Sequence, residues 1–198
     1  YIFAMSSFFD TGGITDLVTA VKVGDLESVK QLLGQNPSGV SVTSKDLWTP
    51  LHFAAGKGHL EVATLLLDCG ARIDAMNSYR WTPLYWAVSR EQLQMAQLLL
   101  DRGADVEAHT PLHRAAETGQ LEVAALLLSR GAAAGSLDKN QFSPLHLAAS
   151  EGRLQMAELL LDAGADPNNQ ETAPSPLHFA SIKGHTEVAQ LLLDRGAR

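Results

Sequence analysis

One tetrapeptide governs what this chain can fold into. Thr49-Pro50-Leu51-His52, Thr82-Pro83-Leu84-Tyr85, Thr110-Pro111-Leu112-His113, Ser143-Pro144-Leu145-His146 and Ser175-Pro176-Leu177-His178 are variants of one pattern. Their prolines fall at intervals of 33, 28, 33 and 32 residues. A sixth, degenerate copy opens at Thr15-Asp16-Leu17-Val18, and the run Gly24 to Leu33 that follows it answers to Gly58 to Leu67. Self-similarity at such a period marks a stack of repeated units, each too small to hold a core alone.

Each copy predicts two short helices. A Thr or Ser hydroxyl accepts an orphan backbone N–H at a helix start. Proline suits the first helical position, where its missing donor costs nothing. The first helix runs through Leu-His-x-Ala-Ala and ends near Gly58, Gly119, Gly152 or Gly184. The second carries apolar residues at helical spacing, as in Leu60, Val62, Ala63, Leu66 and Leu67. A glycine suited to a left-handed cap then closes it, at Gly70, Gly103, Gly131, Gly164 or Gly196. Helices this short lie below the ~12–15 residues at which an isolated helix is marginal in water, so each persists only by packing on others. The pattern predicts an elongated all-α solenoid with nearest-neighbour contacts. Leu51, Leu84, Leu112, Leu145 and Leu177 are expected in its core, with the Ala54-Ala55, Ala115-Ala116 and Ala148-Ala149 pairs allowing close helix approach.

The 198 residues include 15 Lys+Arg against 22 Asp+Glu, a formal net charge of −7. That balance speaks against general binding to nucleic acid or anionic membrane, which needs a basic patch. No stretch approaches the ~18 apolar residues of a membrane span. The single cysteine, Cys69, forbids an intramolecular disulfide and suits a reducing compartment, so an intracellular place, cytoplasmic or nuclear, is expected. The opening Tyr1 to Met5 lacks the basic n-region of a signal peptide. Residues 1–14 read as an N-terminal extension or tag remnant. A repeat domain follows at 15–198, with units at 15–48, 49–81, 82–109, 110–142, 143–174 and 175–198.

Thr49 to Ala54 and Thr110 to Ala115 match in full the T-P-L-H-x-A signature of the ankyrin repeats, and the chain resembles that family over about residues 15–198. Serine replaces threonine at Ser143 and Ser175, and Tyr85 stands where the signature has histidine. The resemblance implies an all-α ankyrin-repeat solenoid of stacked helix-turn-helix units with β-hairpin-like fingers. Two departures stand out. The third repeat is five residues short between Gly103 and Thr110, so either its finger is truncated or a stretch of the natural chain is missing there. Val188, Ala189, Leu191, Leu192 and Leu193 leave the last copy as apolar as the internal ones, whereas terminal repeats need a polar outer face. The expectation is a chain that continues, or a covered last helix. Lys22, Asp25, Glu27 and Lys30 give the first repeat a polar cap, over which Tyr1, Phe3, Phe8 and Phe9 either fold or hang as tag.

Catalytic and metal chemistry find little footing. His52, His113, His146 and His178 share one repeat position, so neighbours lie roughly 8–10 Å apart, too far to share an ion bound at ~2.0–2.1 Å. They read as structural histidines bonded to the preceding Thr or Ser hydroxyl and to finger backbone. His59 and His185 open second helices and read as surface residues. His109 and His113 are separated by a helix start. Ala55-Gly56-Lys57-Gly58 is only a fragment of a phosphate loop. Cys69 sits at a helix C-terminus, where the dipole disfavours a thiolate. Asp68, Asp101, Asp162 and Asp194 recur one repeat apart, too far for a paired acid and base. The chain is read as no enzyme, without cofactor or metal.

What remains is a surface. The resemblance implies a concave groove formed by fingers and first helices, contacted at the finger tip, just before Thr-Pro, and just after the Ala-Ala pair. The finger positions include Trp48, Tyr79, Trp81, Phe142 and Thr172; the helix positions include Gly56, Lys57, Ser89, Arg90, Glu117, Ser150, Glu151 and Lys183. Trp, Tyr and Arg dominate binding hot spots, and only 6% of the chain is aromatic, so a groove centred on repeats two to four is expected, anchored by Trp48, Tyr79, Trp81 and Arg90; Trp48 and Trp81 read equally as rings that pack on neighbouring fingers. Trp86 and Tyr85 read as packing residues. The mixed charge of the stripe suits a peptide or folded protein. Two functions compete: a non-catalytic protein-interaction module, monomeric in isolation, or a recruitment or regulatory domain of a larger enzyme, ligase adaptor, channel or effector.

Overall fold

The structure, a computed structural model, describes residues 14–168 and 174–198. Expectations resting on Tyr1, Phe3, Phe8, Phe9 and Thr172, and on most of the extension at 1–14, lie outside these residues. The chain divides between Asp105 and Val106 into two units. Twelve α-helices and one 3-10 turn, and no strand, are found among the described residues.

The first unit holds three helix pairs: α1 (Ile14–Val23) with α2 (Leu26–Gln35), α3 (Pro50–Lys57) with α4 (Leu60–Asp68), and α5 (Pro83–Ser89) with α6 (Leu93–Asp101). A 3-10 turn at Pro37–Ser41 follows α2. Two layers result: α1, α3 and α5 pack side by side as an inner row, and α2, α4 and α6 form the outer one. The second unit repeats the plan with α7 (Pro111–Thr118), α8 (Leu121–Ser129), α9 (Pro144–Ser150), α10 (Leu154–Asp162), α11 (Pro176–Lys183) and α12 (Thr186–Asp194).

Proline occupies the first position of α3, α5, α7, α9 and α11, as its fixed φ and missing donor dictate. Each inner helix closes through a left-handed residue; Gly58 does so after α3 at φ 74°, where a side chain would be strained. The alanine pairs are fully buried, so backbones approach closely, and Leu51, Leu66, Leu84, Met95 and Leu99 fill the first unit's interior. Leu127, Leu145, Met156, Leu160 and Leu192 do the same in the second.

Three expectations change. Leu177 is only half-buried and His178 is exposed, because α11 packs on one inner-row helix, α9, where α3 and α9 each pack on two. His59 and His185 are half-buried rather than free surface residues. Each ring lies against a left-handed glycine, Gly24 or Gly152, and donates from Nε2 to a carbonyl of the preceding repeat, Lys22 at 3.1 Å or Ser150 at 3.0 Å. Thr110 does not cap α7. The short connection before it holds His109 and Thr110 at φ 59° and 55°, while the other Thr or Ser caps are extended. Thr110 makes no side-chain cap bond.

Candidate interaction surface

The frame that presents the surface is built on histidine. His52 is fully buried, and its Nε2 lies 2.9 Å from the Trp81 carbonyl. A carbonyl only accepts, so Nε2 carries the proton and Nδ1 accepts from the Thr49 amide (3.2 Å) and hydroxyl (2.8 Å). One side chain thus caps its own helix and ties down the next finger. Burial pushes its pKa down to about 4, opposed by the Trp81 and Ala75 backbone. His113 donates to the Phe142 carbonyl at 2.9 Å, but its Nδ1 is buried without a partner, since left-handed Thr110 does not cap α7. His146 Nδ1 meets the Ser143 amide at 3.0 Å and hydroxyl at 2.8 Å. Burial lowers the pKa of both.

The fingers are hairpin-like turns of five residues. The first residue's amide donates to the fifth's carbonyl in Ser44–Trp48 (3.0 Å), Asn77–Trp81 (3.1 Å) and Asp138–Phe142 (2.9 Å). The same first residue's side chain accepts from the fifth residue's amide, through Ser44 Oγ, Asn77 Oδ1 and Asp138 Oδ1. The fourth residue is left-handed in each: Leu47, Arg80 and Gln141. In the first unit the fingers are stitched together by the Ser78 amide donating to the Asp46 carbonyl at 3.0 Å.

Beside that stitching lies a group of aromatic residues from the first unit. Trp48 is 4% exposed and lies beneath the others. Phe53 stacks on it at 5.8 Å between ring centres, and Trp81 and Trp86 meet it edge-on at 6.0 and 4.9 Å. Trp81 stacks on Trp86 at 5.4 Å with an interplanar angle of 11°. Tyr79 and Tyr85 flank Trp81 at 5.1 and 5.6 Å. Tyr79 is 56% exposed; Trp81, Tyr85 and Trp86 are half-buried. The Arg90 guanidinium lies 4.4 Å over Trp86, and Lys22 Nζ lies 4.6 Å over Phe53. Gly56 is small because the Trp86 indole rests on it: a Cβ there would run into Nε1.

The sequence-derived residues therefore separate. Trp48, Tyr79, Trp81 and Arg90 belong to one continuous cluster, with Trp48 as its floor. Lys57 is exposed and close enough to Lys22 for mutual repulsion to lower the Lys22 pKa, although burial lowers it more. The Ser89 hydroxyl is buried without a partner. In the second unit Phe142 packs edge-on against Phe179 at 5.3 Å and tilted against His146 at 5.6 Å. Glu117 pairs with Arg114 at 2.7 Å. Half-buried Ser150 lends its carbonyl to His185. Glu151 and Lys183 are exposed.

Phe53 and Lys22 were not singled out as surface partners from sequence. The signal was present for Phe53. Aromatic residues stand two before the repeat proline (Trp48, Trp81, Phe142) and three after it (Phe53, Trp86, Phe179), and these are the rings that pack on one another. His109 and Arg114 take those places around Pro111 and interrupt the series. Among the described residues no three His, Cys, Asp or Glu side chains come close enough to hold a metal ion. Among the same residues no helix is long and apolar enough to cross a membrane.

Known proteins share this architecture. The crystal structure of the human ASB11 ankyrin repeat domain superposes with a TM-score of 0.82 at 28% identity, covering 92% of this chain and 84% of that one. The ankyrin repeat domain of Bcl-3 superposes at 0.85 with 32% identity, covering 93% and 87%. Among curated sequences, the probable E3 ubiquitin-protein ligase XBOS33 of Oryza sativa subsp. japonica is 44% identical over 62 residues, 31% of this chain but 12% of the ligase. The 26S proteasome non-ATPase regulatory subunit 10 of Dictyostelium discoideum is 44% identical over 62 residues, 30% of this chain and 27% of that subunit. The family model of three ankyrin repeats matches residues 17–110 and 107–171, and that of the single ankyrin repeat matches 175–198. With its paired helices, proline starts and histidine ties, the chain belongs to the ankyrin-repeat family and is an all-α ankyrin solenoid.

Proposed function

We propose that this chain is a non-catalytic protein-interaction module that holds a partner segment or domain on its finger and inner-helix face. Ankyrin repeats are in general protein–protein interaction modules and their fold is in general non-catalytic; the finer reading rests on the first unit's ring cluster. Large rings are buried when packing alone is at stake. Here Tyr79 stays exposed on a rigid stack of Trp81 and Trp86, beside the Arg90 guanidinium. Such residue types dominate hot spots, and a preformed platform pays little ordering entropy on binding. Lys57 and Arg90 border it. Ser89 stands beside Arg90 with its hydroxyl buried, and Trp48 contributes by holding the rings above in place. Glu117, Phe142, Ser150, Glu151 and Lys183 stand on the second unit's own finger and inner-helix face. The module acts as a monomer inside the cell, in cytoplasm or nucleus.

Affinity capture with the wild type and with a Tyr79→Ala/Arg90→Ala double variant tests this, read by mass spectrometry after both proteins are shown to melt alike. Proteins retained by the wild type and lost with the variant support the reading. Identical capture by both overturns it. A second reading, recruitment of substrate to a larger enzyme or adaptor, draws on the short stretches shared with ubiquitin ligases and a proteasome subunit. A catalytic domain in the same reading frame supports that version; a frame of repeats alone contradicts it.

A further inference from the structure

The charge around the ring platform narrows the partner, given the interaction reading above. An aromatic face attracts cations, so an open stack of tryptophans suggests a basic or methylated ligand. In the first unit this chain's own side chains fill that role: Lys22 sits over Phe53 and Arg90 over Trp86. Trp81 and Trp86 are stacked on each other, which leaves no slot between them for a cation. The platform therefore turns positive charge outward.

Two cations of this face, Lys57 and Arg90, lack the ion pairs found elsewhere. Arg102 pairs with Asp68, Arg195 with Asp162 and Arg114 with Glu117, each within 2.8 Å. Exposed Lys57 and Arg90 have no carboxylate partner among the described residues, although the chain carries 22 Asp+Glu. Helices α3 and α5 contain no carboxylate, and Glu91, next to Arg90 in the chain, is not bonded to it. Lys57 and Lys22 repel one another, a cost that a bound anion relieves. The steps Tyr79–Trp81–Trp86–Arg90 measure 5.1, 5.4 and 4.4 Å, about the reach of four or five extended residues.

We propose that the first unit's inner face binds a short acidic protein segment, with Asp or Glu carboxylates meeting Lys57 and Arg90 and an apolar residue resting against Tyr79 and Trp81. A carboxylate suits Arg90 because the guanidinium, held 4.4 Å over the Trp86 ring, carries a planar fork of donors that a carboxylate matches bidentately.

The test is fluorescence anisotropy with three labelled peptides: Glu-Glu-Leu-Phe-Glu-Glu, its glutamine counterpart and its lysine counterpart. A phosphoserine version serves as a fourth arm. The acidic peptide is expected to bind roughly tenfold or more tightly than the glutamine one. Its affinity falls as salt is raised from about 0.05 M to about 0.5 M, and Arg90→Ala and Lys57→Ala each weaken it several-fold without lowering the melting temperature. Equal or tighter binding of the glutamine or lysine peptide, lost with Tyr79→Ala, overturns the acidic preference and leaves the interaction reading standing. Binding of the phosphoserine peptide alone overturns the carboxylate assignment. No binding of any peptide at about 1 mM overturns the proposal, while the capture experiment still decides the broader reading.

Discussion

Acid should unfold this protein through its buried histidines, and His52 allows the size of the effect to be worked out. Its imidazole is fully buried, donates from Nε2 to the Trp81 carbonyl and accepts at Nδ1 from Thr49. A second proton on Nδ1 would point at the Thr49 N–H, so native His52 resists protonation down to about 4, against 6.5 for an ordinary imidazole. Between those values the unfolded chain binds more protons, and stability falls as the pH is lowered. Its contribution is complete above about pH 6.5 and lost as the pH descends toward 4. At 1.36 kcal/mol per unit the difference is about 3 kcal/mol, a large share of the ~5–15 kcal/mol of a typical domain. Urea denaturation at several pH values and constant ionic strength measures it, with His52→Gln alongside. The wild type should lose stability more steeply than the variant by close to one proton between pH 6 and 5. His113 and His146 shift in the same direction, but they are present in both proteins. Equal slopes, or an NMR titration of His52 in the folded protein near pH 6.5, would refute the reasoning.

Other consequences can be checked with single substitutions. Thr49→Ala removes a cap and one of the two Nδ1 partners of His52 and should cost about 1–2 kcal/mol, whereas Thr110→Asn should be neutral or stabilising because Thr110 is left-handed and caps nothing; denaturation curves of the opposite order contradict this. Gly56→Ala places a methyl where the Trp86 indole lies, so it should cost about 1–3 kcal/mol and shift the tryptophan fluorescence, and an unchanged spectrum would mean that the ring does not rest there. Tyr79→Ala should change stability by less than about 0.5 kcal/mol yet weaken partner binding by about 2 kcal/mol or more. Trp81→Ala should lower both stability and affinity, because the ring touches Trp48, Tyr79, Tyr85 and Trp86 at once. A melting temperature that drops with affinity intact would reduce the cluster to packing.

The helix starts were readable because proline and the preceding Thr or Ser each carry a local physical meaning, and the structure places α3, α5, α7, α9 and α11 on those prolines. The buried histidines were readable as well, since their recurrence at one repeat position separates them too widely for chemistry. His59 and His185 were misread because their burial depends on left-handed glycines one repeat earlier, a closeness that spacing along the chain does not reveal. The finger turn was legible in hindsight: Ser44, Asn77 and Asp138 each stand four residues before an aromatic, and such side chains close turns on their own backbone. The shortening between Gly103 and Thr110 could be counted, but its effect on Thr110 needed backbone angles. Trp48 and Trp81 occupy the same repeat position and differ in exposure because Trp48 lies against Phe53 of the following repeat and Trp86 of the one after that. Which ring of a series lies beneath is a property of neighbours, not of position.

The central claim, adhesion on the first unit's ring platform, is tested most directly by site-specific photocrosslinking inside the cell. A p-benzoylphenylalanine in place of Tyr79 should capture a discrete protein, and that product should vanish when Arg90→Ala is added. The same probe in place of Glu61, exposed on outer helix α4, should capture nothing comparable. Equal products at both positions, or a product at Glu61 alone, would contradict the account.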